Sequence, residues 1–205
     1  NMSYKIISTY SYVFSNYYND YINKVYWFPH SHSEEFYVKF NNNPENKITL
    51  TGNLRKEIYP YRYQFLQYKD KYPIEVLSHH GYSYQKHNIV GRKYIKYLNK
   101  YIASFTCCSK KETPYIMAKI FEIPASGSLL LLFDEHIKIQ LKELGFIDMI
   151  NYISITGENM ENIIKYVLNH ENKIEIDKIR RNGYELVWNN HLLKHRCEQL
   201  NKLFI

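Results

Sequence analysis

The chain predicts an α/β fold: a parallel sheet covered by helices on both faces. Two observations carry this. From Lys47 to Leu168, short β-prone runs closed by glycine or polar turns alternate with segments of helical period, the pattern of a parallel sheet with crossover helices. One run, Ser128 to Phe133, is apolar without interruption and reads as a strand buried on both faces.

The elements follow in order. Tyr10 to Asn23 carries Tyr, Val and Ile at helical spacing, and Val25 to Phe28 is a short strand stopped by Pro29. Asn41, Asn42, Asn43 and Pro44 are loop by composition. Lys47 to Asn53 is a strand ending at Gly52, a helix follows from Pro60 through Tyr68, and Ile74 to Gly81 is a second strand. Gly91 to Lys100 is helical, with Tyr94, Ile95 and Leu98 on one face, and Ile102 to Cys107 is the third strand. Thr113 opens a helix with Pro114 in its first turn, broken at Pro124, Ala125, Ser126 and Gly127. Then come the strand Ser128 to Phe133, a helix from Ile137 to Leu144, a strand from Asn151 to Ile155 and a helix from Met160 to Leu168. The charged segment from Ile174 to Ile205 is helical, with Gly183 permitting a bend, and packs across the sheet. The expected organisation is an extension over residues 1–46 and one domain over residues 47–205.

Bulk properties narrow the function classes. The 205 residues suffice for a substantial core, and a net charge of +7 suits either a polyanion or a phosphorylated small molecule. The 22 tyrosines could stack on nucleic-acid bases, but they are scattered through every segment and fit the residue bias of an A+T-rich genome better, so no nucleic-acid partner is expected. Cysteine usage is low, at three, with Cys107 and Cys108 adjacent, where a mutual bridge would be strained; this points to a reducing, intracellular setting. No cysteine has a zinc-type partner at ligand spacing, so no metal is expected, and no apolar run approaches the roughly 20 residues of a membrane span. Asn1 ahead of Met2 looks like an added residue before a start codon, implying a whole reading frame; a domain cut from a longer protein is the alternative.

A nucleoside diphosphate needs backbone amides at a turn, cations for its phosphates and an acceptor for its ribose hydroxyls. The turn after the first strand of the βαβ unit offers Gly52 and Asn53, with Arg55, Lys56 and Arg62 just beyond. The second strand closes with His79, His80, Gly81 and Tyr82, and the third with Cys107, Cys108 and Ser109. All three turns should leave the same sheet edge, where open α/β folds place ligands. Glu122, set between Phe121 and Ile123 and close to the Ser126–Gly127 turn, is the candidate carboxylate at that edge.

The segment Lys119 to Leu132, KIFEIPASGSLLLL, resembles the hallmark of group 1 glycosyltransferases, most closely the branch related to spore-maturation protein CgeB: Lys119, the Phe121–Glu122 pair, the small residues Ala125 and Ser126, Gly127, then the apolar strand. Leu50 to Asn53 with Tyr59 to Arg62 resembles that branch's strand and following helix, and Phe28, Pro29 and His30 its preceding element. Gly183 to Arg196, with His191, His195 and Arg196, resembles its closing helices. The resemblance implies one half of a GT-B enzyme, the C-terminal Rossmann-like donor-binding half. It implies that Glu122 holds the ribose of a nucleoside diphosphate sugar and that Arg55, Arg62 or Lys119 neutralises the diphosphate, with retention and without a metal. Where the family's first glutamate of this region would fall the chain has Pro114, and Glu112 is out of register.

The expected function is therefore transfer of a sugar from a nucleoside diphosphate donor to an unknown acceptor, a glycan, protein or lipid. Arg62, Lys119 and amides of the Gly52 and Gly127 turns would stabilise the leaving diphosphate. The alternative is a non-catalytic module that binds a sugar nucleotide or assembles with an acceptor-binding domain or subunit. Self-association is a further expectation for a domain built to face a partner across a cleft.

Overall fold

In a computed structural model, which describes residues 5–10, 19–78, 89–108 and 114–204, five strands form one parallel sheet: β3 (Glu45–Gly52), β4 (Ile74–Ser78), β5 (Tyr101–Cys107), β6 (Leu129–Phe133) and β7 (Ile153–Ile155). Their order across the sheet is β4-β3-β5-β6-β7. The chain winds outward from β3 to β4, then returns over β3 to β5 and continues the other way. This reversal sets a topological switch point between the carboxyl ends of β3 and β5, where the following loops part and leave a crevice.

Alternation along the strands builds two cores. Ile48, Leu50, Ala103, Phe105, Leu129, Leu131 and Phe133 face one side, covered by α1 (Pro60–Leu66) through Phe65 and by α5 (Met160–Leu168) through Met160, Ile164 and Val167. Leu130 and Leu132 face the other, under α2 (Arg92–Leu98), α3 (Lys119–Ala125) and α4 (Lys138–Glu143). On this second face the central strands carry hydroxyls instead: Thr49, Thr51, Ser104 and Thr106 are all buried. A buried hydroxyl needs a partner. Thr49 and Ser104 pair at 2.5 Å, Ser104 and Ser128 at 3.0 Å, and Thr51 with the Tyr94 hydroxyl at 2.7 Å.

The long helix α6 (Lys173–Asn190) packs along α3 and contributes to both cores, Ile176 and Ile179 to the first and Val187 to the second. It runs without interruption through Gly183, which is not a bend as the sequence suggests. A Cβ at Gly183 would lie 2.5 Å from the Asn151 carbonyl oxygen and 3.3 Å from Pro124 Cβ, so the glycine serves close approach of the helix. The carbonyls at the end of α3 are satisfied from outside it. Trp188 donates to Ala125 at 3.1 Å, Asn99 to Ser126 at 2.6 Å, and the fully buried Arg180 to Gly127 at 3.0 Å.

Two expected boundaries move, and one strand is new. The helix assigned to Thr113–Ile123 begins only at Lys119, with Pro114 in the segment before it; burial of Ile116 and Met117 overrides the local proline signal, and Pro124 lies inside the last turn of α3. Only Asn19–Lys24 of the N-terminal helical assignment is described as helix, as a 3-10 turn, and residues 11–18 lie outside the described residues. An unanticipated strand β1 (Ile6–Ser8) pairs in parallel with β2 (Val25–Trp27). The following residues are bound to the chain's end: Leu193 of α7 (Leu193–Asn201) donates to His32 at 2.9 Å, and Arg196 to Pro29 and His30 at 3.1 and 3.3 Å.

Candidate functional site

At the switch point a cavity of about 260 Å³ is lined by Gly52, Asn53, Tyr59, Arg62, Tyr115, Met117, Ala118, Lys119 and Glu122. Each wall has a local cause. β3 ends at Gly52 with φ at 102°, a backbone conformation that favours glycine, and the turn that follows is pinned by Asn53, whose Oδ1 accepts from the Arg55 amide at 2.9 Å. Pro60 opens α1, and within that first helical turn Arg62 reaches back to the Asn53 carbonyl. α3 starts at the same edge, so Lys119 and Glu122 share its first turn.

Arg62 is only 4% exposed, and its guanidinium is held by uncharged groups. It donates to the Cys107 carbonyl at 3.2 Å, to Thr106 Oγ1 at 3.3 Å and weakly to the Asn53 carbonyl at 3.4 Å, with the Tyr59 ring 4.1 Å away. Its Nε is buried and has no hydrogen-bond partner among the described residues. Lys119 Nζ donates to the Thr51 carbonyl at 2.7 Å and Thr51 Oγ1 at 2.9 Å. Among the described residues neither cation belongs to an ion pair. Burial, then the neighbouring Arg62, push Lys119 down to about 7, against the opposing pull of Glu122 and Cys107. Burial likewise raises the Glu122 carboxyl above the usual range, with Lys119 opposing, and no described residue hydrogen bonds to that carboxylate.

Unpaired charge in a partly enclosed site is costly, and here the buried Arg62 and the half-buried Lys119 and Glu122 line one cavity without mutual pairing. Such a site can take a ligand that brings both hydroxyl donors for Glu122 and negative charge for Arg62 and Lys119. Gly52 is what lets the cations meet. A Cβ there would lie 2.6 Å from Lys119 Nζ and 3.0 Å from Arg62 Nη1.

The expected site residues separate into groups. Glu122, Arg62, Lys119, Gly52 and Asn53 line the cavity together. Arg55 is exposed beside it and does not line it. Cys107 contributes its carbonyl to Arg62, while its thiol sits in the first core, pushed up to about 11 by burial. Ser126 and Gly127 require a correction. They follow α3 and precede β6, and so lie at the amino edge of the sheet, opposite the cavity. There Ser126 Oγ donates to Ile123 at 2.6 Å and Gly127 is closed over by Phe40 and Arg180. A helix start and the turn after that helix cannot share a sheet edge, which is why the two halves of KIFEIPASGSLLLL part. His80, Gly81, Tyr82 and Ser109 lie outside the described residues.

The sequence reading missed Tyr59, Tyr115, Met117 and Ala118 as lining residues, and Tyr94 as the support of Thr51. Only the YPYR stretch hinted at Tyr59; Tyr94 and Tyr115 are tyrosines among many, and Met117 and Ala118 carry no polar signal. His191 and Arg196 form a clamp elsewhere: Arg196 donates to His191 Nδ1 at 2.9 Å while His191 Nε2 meets the Leu144 carbonyl at 2.8 Å. His195 Nδ1 accepts from the Leu192 amide at 3.0 Å, closing the start of α7.

A parallel sheet flanked by helices, with a charged cavity at its switch point, is the fold of one half of a GT-B glycosyltransferase. Residues 34–202 match the family described as Glycosyl transferase-like, and the chain belongs to it. In fold it is similar to a glycosyltransferase from Rickettsia africae ESF-5, with TM-score 0.66 and 10% identity over 98% of this chain and 63% of that one. It is also similar to the pneumococcal O-GlcNAc transferase GtfA in complex with UDP and GlcNAc (TM-score 0.56, 13% identity), and to a GtfA/B complex (TM-score 0.56, 10% identity). Each of these last two is matched over 88% of this chain and 39% of that chain. The chain thus spans 63% of the length of the first structure and 39% of the other two. No curated protein matches it. Among the described residues no helix is long and apolar enough to cross a membrane, and no three His, Cys, Asp or Glu side chains cluster as a metal site.

Proposed function

We propose that the chain is the donor-binding part of a glycosyltransferase of the CgeB-related branch, acting on a nucleoside diphosphate sugar with retention and without a metal. One observation carries this: Glu122, to whose carboxylate no described residue hydrogen bonds, and the cations Arg62 and Lys119, which form no ion pair among the described residues, line one cavity at the switch point of the sheet. In this reading Glu122 accepts from the ribose hydroxyls, and Arg62, Lys119 and the backbone at Gly52 and Asn53 carry the diphosphate. Charge growing on the leaving diphosphate is met by fixed donors in a partly dry site, the positive charge a divalent ion would otherwise supply. Support for the donor class comes from the fold neighbour bound to UDP and GlcNAc, and support for a partner from the GtfA/B complex. The buried thiols of Cys107 and Cys108 suit a reducing, intracellular setting.

A second reading, a non-catalytic sugar-nucleotide or assembly module, is favoured by Pro114, which stands where the family's first glutamate is expected and does not line the cavity. Titration calorimetry with UDP- and GDP-sugars tests the site. Glu122→Ala should weaken binding about tenfold to a hundredfold, the worth of a hydrogen bond to a charged group. Absence of nucleotide binding, or an unchanged affinity in that variant, would refute the assignment. Donor hydrolysis or transfer then separates the enzyme from the module.

A further inference from the structure

We propose that a diphosphate entering this cavity draws a proton from solvent onto the Lys119 amine, so that donor binding and protonation of the site are one event. This rests on the donor-pocket reading above.

The geometry supplies the reason. Lys119 Nζ is surrounded by groups that solvate an ammonium but do not neutralise it: the Thr51 carbonyl and hydroxyl from β3, and the Tyr94 ring of α2 at 6.0 Å. From α1 the Arg62 guanidinium faces it across Gly52, both cations lying within 3.0 Å of where a Cβ would stand. β5 presents the Cys107 thiol, buried and raised, and α3 presents Glu122, one turn along and itself held toward its neutral form by burial. Tyr59 lies over Arg62, and Tyr115 completes the wall. Arg62 thus sets a positive charge beside Lys119, while burial works against the compensating negative charge on Glu122.

Consistent with this, burial and the neighbouring Arg62 push the Lys119 amine down to about 7, far below an ordinary lysine. In the empty site near neutral pH the amine is therefore divided between its two forms. A diphosphate placed between Arg62 and Lys119 reverses the balance: it adds negative charge at contact distance and restores the ammonium. The proton comes from solvent or buffer and ends on Nζ; no bond other than N–H is made. By linkage, affinity is greatest at and below neutral pH and falls by up to about tenfold per pH unit as pH rises through the free-site value.

The test is titration calorimetry of the whole chain with UDP, and separately with inorganic pyrophosphate, at pH 8 in HEPES and in Tris. At that pH the terminal phosphate of UDP is ionised, its second ionisation lying near about 6 as for other phosphate monoesters, so the nucleotide itself takes up no proton. With UDP, buffers of different ionisation enthalpy should then report uptake of close to one proton; pyrophosphate, which still holds a proton at pH 8, tests binding alone. In Lys119→Arg any residual binding takes up none, because the guanidinium is charged beforehand. A second measurement avoids the variant: the side-chain lysine resonance of Lys119, followed by NMR from pH 6 to 9, should shift with a midpoint near neutrality in the free chain and stay in its charged position with UDP bound. Binding without proton uptake, or a Lys119 midpoint above 9 in the free chain, overturns this proposal and leaves the donor-site reading standing. Failure of both UDP and pyrophosphate to bind overturns both.

Discussion

Gly52→Ala is the most direct test of how the fold holds the site together. The new methyl would have to share space with two cations, 2.6 Å from Lys119 Nζ and 3.0 Å from Arg62 Nη1, on a backbone whose φ of 102° side chains rarely adopt. Backbone strain of this kind costs on the order of 1–3 kcal/mol. Lys119 can swing away only by releasing its bonds of 2.7 and 2.9 Å to Thr51, which leaves the Thr51 carbonyl without that donor. Water in the open cavity offsets part of that loss, so the net destabilisation is about 3 kcal/mol. For a chain of this size that is a fall in Tm of roughly 6–12 °C. UDP affinity should drop at least about tenfold as the cations leave their places. The control is Gly157→Ala, where a Cβ would meet only Gln64 at 3.7 and 3.8 Å, ordinary contact with no left-handed φ, and stability should stay within about 1 kcal/mol. Thermal unfolding of the three proteins decides it. If Gly52→Ala melts with the wild type, the close approach of the two cations to β3 is not as described.

The same logic gives Gly183→Ala an effect opposite to helix propensity. Alanine should favour α6 by about 1 kcal/mol, yet its Cβ would stand 2.5 Å from a backbone oxygen at Asn151, so chemical denaturation should show a net loss of about 1–3 kcal/mol, and any gain would contradict the packing. His191 makes stability depend on pH: burial, with Arg196 acting in the same direction and the Leu144 bond opposing, pushes the imidazole down to about 4 from an ordinary 6.5. Because the folded value lies below the unfolded one, its contribution, on the order of 3 kcal/mol, is whole above about 6.5 and is lost as pH falls toward 4. His191→Gln should therefore flatten the drop in urea-unfolding stability between pH 7.5 and 5, leaving the part due to His32, which burial also lowers to about 4. Equal losses in variant and wild type would remove His191 from the account.

Much of the fold was legible because its signals are local. Unbroken apolarity in LLLLF fits a strand covered on both sides, and glycine at the end of β3 marks a turn that a positive φ then uses. The alternation of strand and helix implies parallel pairing, since a crossover helix returns the chain in the same direction. The start of α3 was not legible at Pro114, because burial of Ile116 and Met117 outweighs a proline's preference for a first turn.

The site divides along the same line. By itself the sequence determined that Lys119 and Glu122 are one helical turn apart, that Arg62 follows a β3 turn, and that an apolar strand comes next. All of this follows from spacing along one chain. Only the tertiary structure decided that the chain reverses its winding between β3 and β5, which brings Arg62 and Lys119 to one glycine with no ion pair among the described residues. It also decided that Ser126 and Gly127 belong to the far edge, where Arg180 and Asn99 engage them. Contacts between residues distant in sequence depend on strand order, and strand order is set by the packing of the whole sheet.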